Sequence, residues 1–378
     1  MHYYALKLKK SDANCKNMLD SFFTPIPEEI GHPTKGKKQL IGGKIKSYVH
    51  TFPSLKNVKV AIIGIDSTAN NVRKAFYQLS WRFENMEIID LGNLVSTGDP
   101  KQQEFALSES LAELISANII TVLMGGENPY LFGQFNAYRN LSDSIEIVNV
   151  CSGMNLETGS ELHKIISQKP SNLFNIDFVG TQAYNISSNT SKLLEQNYFE
   201  NHRLGNIRAN IEEVEPLLRS AHALMFDLKS VRQSDAPDIN NFSPNGLYAE
   251  EAVKIARYAG LSNTLNSASF YGLTQTDNSV TELLLAQMMW YFIEGATTRF
   301  YDHPVKNDPA FLIYRNKLES TGHEITFYKS RKSNRWWLEI PHPYENKTFF
   351  IGCSYTDYQL VCNGEMPDRW WRAYQRLI

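Results

Sequence analysis

The stretch Ala223-Leu-Met-Phe-Asp-Leu228, followed by Lys229-Ser-Val-Arg-Gln-Ser-Asp-Ala-Pro237, decides the fold of this chain. Its first half is a short apolar run, and its second half is polar and closes with a proline. A run of roughly five to eight mostly Ile, Val, Leu and Phe residues is too short for a buried helix and is typical of a strand covered on both faces. Further runs of this kind are Val58–Ile65, Met86–Leu91, Ile119–Met124, Ile145–Val150, Ile176–Gly180 and Ala268–Leu273.

Longer amphipathic segments separate these runs. They are Val72–Trp81, Gln103–Ser116, Leu131–Tyr138, Ala209–Arg219, Ala249–Tyr258 and Thr281–Phe292. Strands and helices in alternation predict right-handed crossovers and a mainly parallel sheet with helices on both faces, which is a three-layer α/β/α fold. Ligands of such sheets bind beyond the carboxyl ends of the strands. The segments expected to carry function are therefore 125–129, 151–155, 181–184, 229–237 and 274–277.

The composition is that of an ordinary globular protein, with 42% hydrophobic and 21% charged residues. The net charge of −2 gives no electrostatic basis for binding nucleic acid or a membrane surface. The N-terminus lacks the apolar stretch of a secretory signal, and the apolar run Leu283–Ile293 is too short to span a membrane. The four cysteines include no C-x2-C pair, so no spacing supports a structural zinc site. Cys353 and Cys362 could approach each other across a hairpin, but we expect reduced thiols. We therefore expect a cytoplasmic protein that contacts neither nucleic acid nor membrane.

The pattern divides the 378 residues into three regions. Residues 1–57 form an irregular N-terminal segment, residues 58–298 the α/β domain, and residues 299–378 an aromatic-rich appendage. Short runs in the appendage predict small antiparallel strands at Glu324–Tyr328, Trp336–Ile340, Thr348–Ile351 and Gln359–Val361.

Four polar segments near the predicted strand ends carry more specific information. They are Met124-Gly-Gly-Glu-Asn-Pro129, Asn149-Val-Cys-Ser-Gly-Met-Asn155, residues 225–237, and Asn245-Gly-Leu-Tyr-Ala-Glu-Glu-Ala252. In this order they resemble motifs of the arginase family, the ureohydrolases that include agmatinase and formimidoylglutamase. The family versions are Gly-Gly-Asp-His-Ser, Asp-Ala-His-x-Asp, Ser-Phe-Asp-x-Asp-x-x-Asp-Pro-x-x-Ala-Pro and a Gly-Gly-Leu segment. The resemblance covers about residues 58–296 and implies an arginase-like fold.

The resemblance also implies a two-manganese centre, which the family builds from two histidines and four aspartates to activate a bridging hydroxide. The positions of this chain that correspond to those six ligands are Asn128, Cys151, Gly153, Asn155, Asp227 and Lys229. Only Asp227 keeps the ligand type. Glycine has no side-chain donor, and the ammonium of Lys229 has no acceptor lone pair and repels a cation. Together with Glu127, these positions are expected to form a vestigial cleft that holds no metal and no other cofactor.

Asp227 and Lys229 are two residues apart, and side chains at that spacing share one face of a strand. A buried Asp–Lys pair satisfies both charges without a metal. We therefore expect these two side chains to form an ion pair in place of the metal site.

Cys151 is the alternative source of chemistry in the cleft, as a nucleophile with Glu127 or His222 as its base. A catalytic thiol needs a lowered pKa. Because cysteine is commonly a small buried hydrophobic residue, burial without catalysis is the competing interpretation.

The appendage offers a possible interaction surface. Its tryptophans occur as the adjacent pairs Trp336–Trp337 and Trp370–Trp371, and Arg331 and Arg335 precede the first pair. On strands, one tryptophan of each pair would face outward, and exposed tryptophan beside arginine is typical of a protein interface. The competing interpretation is that these rings cover the α/β domain.

These features predict a non-catalytic member of the arginase family that acts as a binding or scaffold module, with an unknown protein partner or by self-association. The alternative is a metal-independent hydrolase that acts on C–N bonds of a guanidino or formimino substrate in the same cleft. A sensor that binds a guanidino or amino-acid-like metabolite without turnover is a third possibility.

Overall fold

The computed structural model describes residues 18–31, 36–84, 86–127, 130–237, 243–274, 280–319 and 321–378. The strands are β1 (Phe23–Thr24), β2 (Lys46–Ser47), β3 (Val58–Gly64), β4 (Glu87–Leu94), β5 (Ile120–Met124), β6 (Ile145–Val150), β7 (Leu173–Thr181), β8 (Glu200–Arg203), β9 (Ala223–Asp227), β10 (Ser267–Tyr271), β11 (Phe311–Lys317), β12 (Glu324–Ser330), β13 (Trp336–Pro341) and β14 (Thr348–Cys353). The helices are α1 (Glu28–Gly31), α2 (Ala69–Phe76), α3 (Pro100–Ser116), α4 (Leu131–Asn136), α5 (Glu161–Ser167), α6 (Ser188–Gln196), α7 (Leu204–Ala209), α8 (Val214–Ser220), α9 (Ala249–Leu261), α10 (Val280–Thr297), α11 (Tyr355–Cys362) and α12 (Asp368–Gln375).

Ten of the described strands form one large sheet in the order β1-β4-β3-β5-β10-β9-β6-β7-β8, with β2 beside β4. Its pairs are parallel except for β1, which runs antiparallel to β4. The predicted mainly parallel sheet is confirmed. The short strands β1 and β2 come from the segment before Val58, and the edge strand β8 was not predicted because its sequence, Glu-Asn-His-Arg, has no apolar run.

Helices cover both faces of this sheet and complete the predicted three layers. In β3, Val60 and Ile62 pack into one core with α2, α9 and α10, whereas Ala61 and Ile63 pack into a second core with α3 and α4. Burial on both faces explains why the strands are continuously apolar. None of the described helices combines the length and apolar composition that a bilayer span requires.

The appendage is a four-stranded antiparallel sheet, β11-β12-β13-β14, followed by α11 and α12. Three of the four strands predicted there are present, but Gln359–Val361 is part of α11 and not a strand. Ser354 and Asp357 cap this helix reciprocally, and that capping box outweighs the local apolar run. The thiols of Cys353 and Cys362 are both free.

Arginine side chains join the appendage to the α/β domain through main-chain oxygens. Arg219 of α8 donates to the carbonyl oxygens of Trp336 (2.6 Å) and Cys353 (3.2 Å). Arg372 of α12 donates to the carbonyl oxygen of Phe199 at 3.3 Å, and Arg376, which directly follows this helix, donates to that of Tyr198 at 2.6 Å. The first two hydrogen bonds fix the small sheet against α8, and the other two fix the C-terminal helix against the segment before β8.

Candidate functional site

The residues predicted to form a cleft follow neighbouring strands at the carboxyl edge of the large sheet. Glu127 follows β5, Cys151 follows β6 and Asp227 ends β9, with β10 between β5 and β9. We use the term strand-end cleft for the described members of this group: Glu127, Cys151, Gly153, Asn155, Asp227 and Lys229. Asn128, the position that corresponds to the first family histidine, lies outside the described residues.

Asp227 is held by the backbone of the turn that follows it. Its Oδ1 accepts the backbone N–H of Lys229 at 2.9 Å, and its carbonyl oxygen accepts the hydroxyl of Ser230 at 2.7 Å. Burial raises the pKa of Asp227 to about 6, although the N–H and the ammonium of Lys229 both act to lower it. This carboxyl group therefore titrates close to neutral pH.

Lys229 does not lie on β9, as the predicted pairing required. The strand ends at Asp227, and residues Leu228–Ser230 form a 3-10 turn. The turn carries the Lys229 ammonium to Glu127, where Nζ and Oε1 are 3.5 Å apart. The side chains of Lys229 and Glu127 are 33% and 61% exposed. The predicted ion pair is therefore replaced by a solvated pair at the rim, of a kind that contributes about 0–1 kcal/mol.

Cys151 is buried directly after β6, where its backbone N–H donates to the carbonyl oxygen of Val179 at 3.0 Å. Burial, and secondarily the negative charge of Asp227, raises the pKa of this thiol well above its ordinary value. A thiol with a raised pKa stays protonated near neutral pH and is a poor nucleophile. The geometry therefore favours the interpretation of Cys151 as a buried structural residue.

His222 is at the wrong end of the sheet to act as the base for Cys151. It precedes β9, and the five residues of that strand separate it from Asp227 by roughly 16 Å. Its Nδ1 accepts the backbone N–H of Glu146 at 3.2 Å, and burial lowers its pKa to about 4. His222 is thus a neutral residue that satisfies a strand N–H.

Gly153 and Asn155 belong to the loop after β6. A Cβ atom added to Gly153 would lie 2.7 Å from the Cβ of Asn185, so a larger side chain needs a shift of the neighbouring loop. The Oδ1 of Asn155 accepts the backbone N–H of Glu157 at 2.9 Å. Gly153 therefore has no side-chain atom that could bind a metal, and the amide oxygen of Asn155 is engaged within its own loop.

The match to a known family rests on the α/β domain that contains this cleft. The family model described as the arginase family matches residues 60–293, more than half of the chain. The chain belongs to the arginase family. No curated protein sequence matches it.

Solved structures with the same fold include formiminoglutamases and an agmatine ureohydrolase. Trypanosoma cruzi formiminoglutamase with Mn2+ superposes with a TM-score of 0.59 at 15% identity, covering 66% of this chain and 97% of that one. Bacillus subtilis formimidoylglutamase gives 0.59 at 14% identity, with coverage of 68% and 92%. Agmatine ureohydrolase of Thermoplasma volcanium gives 0.51 at 15% identity, with 64% and 91%. At these identities the likeness establishes the arginase-like fold.

Beside the strand-end cleft, this arginase-family domain has an open cavity of about 790 Å³. Six of its ten lining residues carry amide or hydroxyl side chains, and the lining comprises Met154, Asn155, Leu156, Glu157, Thr158, Asn185, Ser187, Asn189, Thr190 and Leu193. The segment predicted to carry function ends at residue 184, so the second wall of the cavity, within residues 185–193, lies outside it. The available signal was the run of amide and hydroxyl side chains in Asn185-Ile-Ser-Ser-Asn-Thr-Ser191, directly after a strand end.

The prediction that Trp336 or Trp337 faces outward is wrong. The two side chains lie on opposite faces of β13, but their residues are only 8% and 2% exposed. Trp336 packs against Tyr358 of α11 with ring centroids 5.0 Å apart, and the Arg219 guanidinium lies 4.6 Å from the Trp337 ring centroid. Both faces of the small sheet are covered, because α11 packs on one and the α/β domain on the other.

Trp370 and Trp371 lie on helix α12 and not on a strand. Trp370 is 1% exposed and Trp371 is 41% exposed. Arg335 pairs with Glu215 at 3.2 Å inside the molecule, whereas Arg331 stays exposed and donates to the carbonyl oxygen of Pro309. Of the six residues predicted for an interface, the structure leaves Trp371 and Arg331 on the surface.

Proposed function

We propose that this arginase-family protein is a non-catalytic binding or scaffold module, without the two-manganese centre. The observation that carries the proposal is the position of Lys229. Lys229 occupies the sequence position at which the resemblance places a metal-binding aspartate, and its ammonium lies 3.5 Å from Glu127 at the rim of the cleft. A second cation brought to the strand-end cleft would be repelled by this charge at short range.

The donor chemistry of the strand-end cleft supports the same conclusion. Asp227 supplies one carboxylate and its Oδ1 is already engaged by a backbone N–H. Gly153 supplies no donor, and the buried Cys151 thiol is protonated because its pKa is raised. Two Mn2+ ions require several carboxylate or imidazole ligands, and these residues do not fit that requirement.

We expect the full-length protein, loaded with Mn2+ and dialysed, to retain no stoichiometric manganese in this cleft. Elemental analysis provides the measurement. The matched variant Asp227→Asn removes the surviving ligand-type residue and should leave the manganese content unchanged. One or two manganese ions per chain that disappear in Asp227→Asn would contradict the proposal.

For the ligand, we propose a small cationic molecule of guanidino or amino-acid type. The open cavity beside the cleft is lined by amide and hydroxyl groups, which donate to and accept from such ligands. Glu157 places an exposed carboxylate in the same lining and supplies the negative charge for a guanidinium.

A panel of guanidino compounds and amino acids should therefore contain a member that raises the melting temperature by preferential binding to the folded state. Replacing Glu157 with glutamine should weaken that ligand about tenfold or more, because it removes a charge-assisted hydrogen bond worth about 1.5–3 kcal/mol. The control variant Glu109→Gln changes an exposed carboxylate on α3, away from the cavity, and should bind as the wild type does. Equal weakening in both variants would contradict the assignment.

One observation favours the alternative of a metal-independent hydrolase. Asp227 has a pKa of about 6, and a carboxyl group that titrates near neutral pH is suited to general acid or base catalysis. Release of urea, ammonia or formamide from a guanidino or formimino substrate by metal-free protein, lost in Asp227→Asn, would establish the alternative.

A further inference from the structure

A second cluster of ionisable side chains lies at the opposite flank of the large sheet, away from the strand-end cleft. Asp177 belongs to β7, and Glu200 and His202 belong to the edge strand β8. Asp177 pairs with Glu200 in the parallel register, and His202 is two residues further along. Because alternate residues share a face, the three side chains project to the same side of the sheet, beneath the appendage.

The distances within this cluster are those of ligands around one ion. His202 Nε2 lies 3.7 Å from Asp177 Oδ1 and 3.5 Å from Glu200 Oε2. Bonds of about 2.0–2.1 Å in tetrahedral geometry place neighbouring ligands about 3.3–3.4 Å apart. Hydrogen bonds between nitrogen and oxygen are shorter, at about 2.7–3.2 Å. All three potential ligand atoms lie within 4.8 Å of one another.

Two of these atoms lack the partner that burial requires. Asp177 is 4% exposed, and within the described residues neither its Oδ1 nor His202 Nε2 has a hydrogen-bond partner. The other carboxylate oxygen of Asp177 accepts the Asn175 side-chain amide at 3.0 Å, which fixes the orientation of Oδ1. A buried polar atom without a partner costs about 1–3 kcal/mol, and a shared cation satisfies both atoms at once.

The surrounding charges leave a negative excess at the cluster. Glu146 of β6 joins Asp177 and Glu200 in the lining of a small cavity, which α12 closes with Arg369 and Arg376. A separate pair of carboxylates engages Arg369, Asp357 at 3.3 Å and Glu213 at 3.6 Å. Burial raises the pKa of Glu146 to about 8, so Glu146 is not counted as a charge near neutral pH. Asp177 and Glu200 face one remaining guanidinium, Arg376, and a divalent cation would offset the excess negative charge.

The cavity next to the cluster, which Asp177 and Glu200 line and His202 does not, has a volume of about 20 Å³. That is room for one ion or one water molecule, and it excludes an organic substrate. A site of this size has a structural role.

We propose that Asp177, Glu200 and His202 bind one divalent cation, which fastens the edge strand β8 to β7 beneath the appendage. One imidazole and two carboxylates are ligands that zinc takes, and the two nitrogen–oxygen distances here are slightly wider than the tetrahedral separation. The chain segment just before β8 carries the carbonyl oxygens of Tyr198 and Phe199 that receive Arg376 and Arg372. A cation that holds β8 in place therefore also holds the docking site of α12.

Calorimetric titration of chelator-treated full-length protein with zinc chloride tests the proposal. We expect one zinc ion per chain and a melting temperature that rises with free zinc. Because loss of a second-shell group already costs about 10–100-fold in metal affinity, His202→Gln should cost more than about 100-fold. His50→Gln is the matched control, since His50 is an exposed histidine that meets a single carboxylate, Glu28, at 2.9 Å. It should bind zinc as the wild type does.

Asp177→Asn is the second variant, because it keeps the size of the side chain and an oxygen that can accept from Asn175. The Asp177→Asn variant should also lose zinc affinity. It provides the test of the proposal if His202→Gln does not fold. Wild-type protein that takes up no zinc overturns the proposal, as does zinc affinity that survives in a folded His202→Gln or Asp177→Asn variant. Manganese that is retained by the wild type and lost in Asp177→Asn supports this site and leaves the assignment of the strand-end cleft unaffected.

Discussion

Replacing Asp90 with asparagine should lower the free energy of unfolding by about 3–5 kcal/mol, because it leaves the guanidinium of Arg73 buried without a counter-charge. Both side chains are fully buried, and Arg73 Nε and Nη2 each donate to one Asp90 oxygen at 2.9 Å. The hydroxyl of Tyr77 also donates to Asp90 at 2.9 Å. The pair joins α2 to β4 on one face of the large sheet. Urea denaturation followed by circular dichroism measures the loss.

The matched control is the exposed pair Arg315–Glu324, whose atoms are 4.0 Å apart and whose side chains are more than half exposed. Glu324→Gln should lower the free energy of unfolding by less than about 1 kcal/mol. Arg73→Met should cost about as much as Asp90→Asn, while the double variant should cost clearly less than the sum of the two. Additive losses would show that the two groups do not depend on each other.

Trp370→Ala should lower the free energy of unfolding by about 3–5 kcal/mol, because it removes the ring at the centre of the appendage core. This is the second large effect that we expect. The Trp370 ring stacks on Tyr374 with centroids 5.0 Å apart, and its Nε1 donates to the carbonyl oxygen of Glu339 at 3.1 Å. Removal therefore opens a cavity and leaves that carbonyl oxygen without its indole donor. Thermal unfolding monitored by tryptophan fluorescence should show the loss.

Trp371→Ala, at the adjacent position of the same helix, is the control. Trp371 is 41% exposed, so its removal should change stability by no more than about 0.5 kcal/mol. Equal destabilisation by the two substitutions would contradict the assignment of their faces. Analytical ultracentrifugation of the folded Trp371→Ala variant, alone and with Arg331→Ala, also tests whether the exposed remainder of the predicted interface supports self-association.

The α/β fold was predictable from sequence because parallel strands covered on both faces are continuously apolar. The run Ile145–Val150 is β6 without change, and the other six runs coincide with strands to within a few residues. The same reasoning failed at Glu200–Arg203, an edge strand without apolar residues. It failed at Trp370 and Trp371 because adjacent aromatic residues favour strands by propensity. The spacing of Trp370, Ala373 and Tyr374, which is helical, decides the structure there.

The residues of the strand-end cleft were also predictable from sequence. The contact of the Lys229 side chain with Glu127 was not. Asp227 accepts the N–H of the residue two positions on, and aspartate in this arrangement starts a turn. The turn breaks the alternation that the predicted Asp227–Lys229 pair needed. The Asp177–Glu200–His202 cluster has no signal in sequence, because its members come together only through the pairing of β7 with β8.

The attachment of the appendage through carbonyl oxygens has a consequence for how this surface can vary. The guanidinium groups of Arg372 and Arg376 donate to the main-chain oxygens of Phe199 and Tyr198, so these hydrogen bonds do not involve the side chains of the two residues. Substitutions of the half-buried Tyr198 can therefore accumulate without loosening the joint, provided that the backbone conformation is kept. Phe199 is different, because its side chain is buried in the core beneath the joint. The backbone conformation of Tyr198 is left-handed, with φ of 55°, and asparagine or glycine adopts it with less strain than tyrosine does. A library randomised at residue 198 should thus be enriched in asparagine and glycine, whereas residue 199 should remain a large apolar residue because its side chain is buried.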